Sequence, residues 1–296
     1  MTVASGAFAP LIRRIETWAR NRQDIRGLLI LGSQARSVRP ADAWSDLDLL
    51  LVTTDPDGYL GSTGWLADLG TVWITFLEPT PAGGMERRVL FAGGLDVDFS
   101  VVGTADAAAL AERGVPPEVA RTVTRGVRVL LDRDGLMSHL IDQCRAVAAA
   151  LPPPAAPGQA ELDQLCHDFW YHAVWVAKKL RRGEVWTALD CCDGYMKRRL
   201  LTLLEWHARA RRGPGWDTWH QGRFLEEWAD DRVVQALRPA FAHYDGGDVR
   251  RALLATMEVF RRAAVETSDL LGLVYPEAVD AKASGLVHAL LDETVT

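Results

Sequence analysis

Gly27-Leu28-Leu29-Ile30-Leu31-Gly32-Ser33 is followed, thirteen residues after the serine, by Asp46-Leu47-Asp48-Leu49-Leu50-Leu51. The first stretch reads as a buried strand running into a tight turn. The second reads as another strand, over 47–53, that carries charge among apolar neighbours. Side chains two apart on a strand share a face, so Asp46 and Asp48 project together. Two like charges held that close repel unless a cation lies between them. Magnesium suits the pair, being a hard ion that prefers carboxylate oxygens and keeps sites for phosphate. Gly32 lets backbone approach a phosphate closely, and Ser33 offers a hydroxyl and an amide to the same oxygens.

A third carboxylate is expected from a neighbouring strand. Residues 95–102 alternate, with Leu95, Val97, Phe99 and Val101 on one face and Asp96, Asp98 and Ser100 on the other. Asp98 is the preferred third ligand and the candidate general base, because an apolar run follows it as one follows Asp48; Asp96 is its rival.

Further strands are expected over 72–77, 88–92 and 127–131, and an amphipathic helix through Leu11, Ile12, Ile15, Trp18 and Ala19. Glu86 with Arg87 and Arg88 reads as a solvated strand edge. The proline-rich stretch 151–158 reads as a linker. Beyond it strand signals nearly vanish, and long helices are expected over 161–182, 184–211 and 249–273, with a shorter one over 278–291. Most of the tryptophans lie in this half. The expected fold is therefore α+β: an N-terminal domain, 1–150, with a mixed sheet and flanking helices, then the linker and an α-helical domain, 159–296.

Composition bounds the function. Apolar residues make up 48% and charged residues 24%, enough for ordinary cores. The net charge of −6 argues against a general nucleic-acid binder and suits a cationic small molecule. The four cysteines lack metal spacing and read as free thiols of a reducing compartment. The first ten residues carry no leader pattern, and no apolar run nears the ~20 residues of a membrane span. A cytoplasmic protein, monomeric or weakly dimeric, is expected, with no membrane or nucleic-acid partner.

Leu31-Gly32-Ser33-Gln34-Ala35-Arg36 and Trp44-Ser45-Asp46-Leu47-Asp48-Leu49 together resemble the signature of the DNA polymerase β nucleotidyltransferase superfamily. Asp168-Phe169-Trp170-Tyr171, the 176–184 stretch, Leu203-Leu204-Glu205-Trp206 and Tyr275-Pro276 resemble the streptomycin 6-adenylyltransferases, with Lys179 standing where glycine is expected. The resemblance implies ATP as co-substrate and one or two magnesium ions on Asp46, Asp48 and Asp98. It implies a nucleotide held by Gly32, Ser33, Arg36 and Lys178, and an aminoglycoside facing Asp168, Trp170 and Tyr171. The expected reaction is AMP transfer to an antibiotic hydroxyl, streptomycin first. Transfer to a lincosamide, another metabolite or a protein side chain, and a non-catalytic nucleotide-binding module, stay open as alternatives.

Overall fold

The computed structural model describes residues 6, 8–80 and 83–292. Most of the extreme N-terminus, where a leader would stand, lies outside them. The chain divides into two compact units, Met1–Leu151 and Pro152–Thr296. Residues 151–158 have no regular structure, and the backbone N–H of Gly158 donates to Glu161 Oε2 at 2.8 Å to open the helix that follows.

The first unit holds a six-stranded sheet. Its strands are β1 (Ile25–Leu31), β2 (Leu47–Thr53), β3 (Val72–Pro79), β4 (Met85–Phe91), β5 (Leu95–Gly103) and β6 (Val127–Asp132), in the order β3-β4-β5-β2-β1-β6. Only β2 and β5 run parallel among these neighbours, so the sheet is mixed.

Strand alternation separates two faces. Leu47, Leu49 and Leu51 of β2 and Val97, Phe99 and Val101 of β5 pack with Leu11, Ile15 and Trp18 of the helix Phe8–Arg20. The apolar residues of the opposite face, Leu29, Leu50, Val52 and Val102, pack with Ala107 of the helix Thr104–Arg113 and with Met137 and Ile141 of Leu136–Ala150. Of the flanking helices, Thr104–Arg113 is rich in alanine, and Pro117–Arg125 packs Val119, Ala120 and Val123 against Cys144 and Val147 of Leu136–Ala150. Toward the start of β2 this second face turns polar.

The second unit is helical: Gln159–Arg181, Val185–Leu189 leading through a π-turn (Asp190–Tyr195) into Met196–Arg212, then Gly246–Leu271 and Glu277–Asp292. Its core centres on Phe169, stacked 3.6 Å from Phe260, with Trp170 edge-on to both. A polar thread runs through this core. Trp170 Nε1 donates to the Tyr275 hydroxyl at 3.1 Å, which donates to Asp280 Oδ2 at 2.8 Å. Arg261 grips the same carboxylate at 2.6 and 2.7 Å and lies over the Trp170 ring.

All four cysteines are free and buried, Cys144 in the first unit and Cys166, Cys191 and Cys192 in the second. No helix among the described residues is long and apolar enough to cross a membrane.

Candidate active site

Sheet register builds the site. Directly opposite one another lie Phe76, Arg88, Asp98, Asp48 and Leu31, one from each of β3, β4, β5, β2 and β1. Opposed residues in neighbouring strands point to the same face, so Asp48 and Asp98 meet side by side. Asp46 joins them from just before β2. One carboxylate oxygen from each of Asp46, Asp48 and Asp98 lies within 4.8 Å of the other two. Asp96 is exposed and outside the trio.

Asp98 is buried, and its Oδ1 has no hydrogen-bond partner among the described residues. Arg88 approaches the other oxygen, Nη2 to Oδ2 at 3.4 Å, while also holding Glu86 at 3.1 Å and Glu78 at 2.5 Å. Burial pushes the Asp98 carboxyl up to about 7; Arg88 opposes that shift, and Glu86, Asp96 and Asp48 add to it. A buried acid with one oxygen unpartnered, beside two other carboxylates, is costly without a cation. Three hard oxygen donors at this spacing fit a divalent ion of the magnesium type.

Beside the trio, Gly32–Gln34 makes one turn of 3-10 helix. Gly32 has φ +65°, and an added Cβ would stand 2.6 Å from Asp48 Oδ2. The turn is tied from beneath: Gly32 N–H donates to Gly126 O at 3.0 Å, and Gly32 O accepts from Ala35 and Arg36 N–H. Ser33 Oγ is buried without a partner among the described residues. Arg36 Nε donates to Arg39 O at 2.5 Å, so this guanidinium braces the following loop. Gly32→Ala is expected to cut nucleotidyl transfer at least tenfold, through the strained φ and the displaced Asp48, about 1–2 kcal/mol or more. Initial rates at saturating nucleotide, with circular dichroism to show retained folding, check this.

Two residues here escape a reading of the sequence alone. The Glu86-Arg87-Arg88 run looks like a solvated edge, but β4 is an interior strand; Arg87 is 5% exposed and Arg88 is held by three carboxylates. The edge strand on this side of the sheet is the apolar β3. Gly126 carries no local signal at all. A Cβ there would sit 2.7 Å from Gly32 O, Arg36 N and Arg36 Cβ, so the turn needs its bare backbone.

The remaining expected site residues belong to the helical unit. Trp170 corrects the expectation that it faces a ligand: it is fully buried, because its face of the helix packs on Phe260 and Tyr275. Tyr171, next in sequence, is 67% exposed, and Lys178 is exposed as well. Asp168 is half-buried and occupied, accepting from Tyr195 Oη at 3.0 Å to each oxygen and lying 2.8 Å from His172 Nδ1, with Arg199 3.6 Å away.

Residues 9–289 match the family described as streptomycin adenylyltransferase. The chain belongs to that family. It is accordingly an enzyme of the nucleotidyltransferase class, whose members use a nucleotide and a divalent metal. It is 21% identical over 267 residues to an aminoglycoside 6-adenylyltransferase of Bacillus subtilis (strain 168), covering 88% of this chain and 89% of that relative. A second aminoglycoside 6-adenylyltransferase, from Campylobacter jejuni, is 22% identical over 284 residues, 91% of each chain. The crystal structure of an aminoglycoside 6-adenyltransferase from Bacillus subtilis aligns with 96% of this chain and 98% of its own, with TM-score 0.45 and 17% identity.

Proposed function

We propose that this enzyme transfers the AMP of ATP to a hydroxyl of an aminoglycoside, with streptomycin as the first acceptor to test. The observation that carries the chemistry is the convergence of Asp46, Asp48 and Asp98 beside the Gly32–Ser33 turn. Asp46, Asp48 and Asp98 would hold magnesium, which when bound neutralises phosphate charge and polarises the reacting oxygens. The Gly32–Ser33 turn presents the Ser33 amide and the unpartnered Ser33 hydroxyl to the triphosphate, and Arg36 keeps the loop beyond it in place. Asp98, with one carboxyl oxygen free of any hydrogen-bond partner among the described residues, accepts the proton of the acceptor hydroxyl. That hydroxyl oxygen forms a bond to the α-phosphorus as the bond to the β-phosphate bridge breaks, and pyrophosphate leaves. Of the exposed residues of the helical unit we assign Tyr171 to the antibiotic and Lys178 to the nucleotide phosphates, with Asp168, one turn from Tyr171, a charge already balanced by its neighbours.

Family membership and the names of the relatives support the aminoglycoside as acceptor. The test is incubation with ATP, magnesium chloride and a panel of acceptors: streptomycin, other aminoglycosides, a lincosamide and a protein mixture. A mass gain of one AMP on streptomycin, with stoichiometric pyrophosphate, is expected. Labelling of the lincosamide or of protein alone would replace the acceptor, and no metal-dependent pyrophosphate with any acceptor would remove the catalytic reading.

A further inference from the structure

The β3 edge of the sheet has an unusual composition. Within Val72–Pro79, Trp73 is 59% exposed, Ile74 56%, Phe76 50% and Leu77 42%. Among the described residues β3 is paired on one side only, with β4. Solitary proteins blunt such edges with lysines, prolines or very short strands, because open backbone groups beside apolar side chains recruit another strand. This edge has no basic residue, its proline stands at its last position, and its one acid, Glu78, is paired with Arg88. An irregularity in pairing lies between Val72 and Ile74, leaving Ile74–Pro79 in regular register.

We propose that β3 pairs antiparallel with β3 of a second copy of this chain, about a two-fold axis through Thr75. The sequence of the strand selects this occupant. A two-fold that continues a sheet keeps its faces, so only residues whose numbers sum to an even value can stand opposite one another. Centred on Thr75, Ile74 faces Phe76 of the other copy, Phe76 faces Ile74, and the two Thr75 hydroxyls meet on the reverse face. At the centre of the strand apolar meets apolar and hydroxyl meets hydroxyl, the pairings that stabilise antiparallel sheets. This register also sets Trp73 against Leu77, so that all four exposed apolar side chains oppose one another, with Val72 against Glu78 at the ends; a shift of two residues either way sets Trp73 against Thr75 or Pro79 and Leu77 against Thr71 or Thr75.

The interface this makes is of modest size. The four exposed side chains offer on the order of 400 Å² of apolar surface, about half of what each partner buries in a standard interface. The strand backbone adds to it. That sum suits a dimer that assembles at micromolar concentration.

Sedimentation equilibrium on the full chain across the micromolar range tests the proposal, with Ile74→Lys and Phe76→Glu as variants. Both positions are at least half exposed, so folding, checked by circular dichroism, should be unchanged. The wild type is expected to reach the mass of two chains, and each variant alone to dissociate at least about tenfold more readily. Mixed in equal amounts, the two variants should recover the dimer, because the introduced ammonium of one copy then faces the introduced carboxylate of the other. A monomeric wild type, single variants as dimeric as the wild type, or a mixture that stays monomeric would each overturn the Thr75-centred pairing.

Discussion

Asp98→Asn is expected to lower AMP transfer by about a thousandfold or more while leaving the fold intact and, without metal, more stable than the wild type. Asparagine keeps the shape and removes both the proton acceptor and one of three metal-binding charges, and loss of a positioned base alone costs about 10²–10⁴. The stability gain follows from the sign of the Asp98 shift. Its carboxyl sits at about 7 in the folded chain against an ordinary 3.8. Between those values the folded state binds more protons than the unfolded one, so this group's contribution to stability falls as pH rises through that window. Asparagine has no such slope. Thermal melts in chelator should therefore show the variant's advantage growing from about pH 4 to 7 and then levelling. Magnesium should narrow the difference by stabilising the wild type preferentially. Near-normal turnover by Asp98→Asn, or melting curves that never diverge with pH, would refute the assignment.

Trp170→Ala is expected to cost about 3–5 kcal/mol of stability, the range for deleting a fully buried aromatic side chain. The loss has several parts here. The edge contacts with Phe169 and Phe260 disappear, the Tyr275 hydroxyl loses the donor it accepts from, and Arg261 loses the ring beneath it. Tyr171→Ala, one residue on and largely exposed, should change stability by less than about 0.5 kcal/mol. Urea unfolding of the two variants side by side makes the comparison. Equal midpoints for the two would mean that Trp170 does not hold the helical core.

These residues also show what local sequence conveys and what it does not. Asp46, Asp48 and Asp98 are legible because charge embedded in apolar alternation is conspicuous, and the alternation assigns them a face without any knowledge of neighbours. β2 emerges at Leu47–Thr53, the bounds that its pattern suggests. Trp170 is not legible in the same way. Phe169, Trp170 and Tyr171 are consecutive aromatics on one helix, and which of them points inward depends on where Phe260 and Tyr275 arrive, much later in the chain. Arg88 is hidden for a related reason. A Glu-Arg-Arg run looks solvated until a strand on each side supplies Glu78 and Asp98 as partners. Gly126 lies farther still from any motif, and only the path of the Gly32 turn above it explains why a side chain is excluded.

The distribution of thiols gives the molecule a built-in reporter. Burial raises all four, Cys166 and Cys192 to about 12 and Cys191 to about 11, so the nucleophilic thiolate is scarce at neutral pH. An alkylating reagent can therefore react only as the packing around each sulfur opens. With one thiol in the sheet-bearing unit and three in the helical one, the number of adducts acquired per opening event distinguishes which half has loosened.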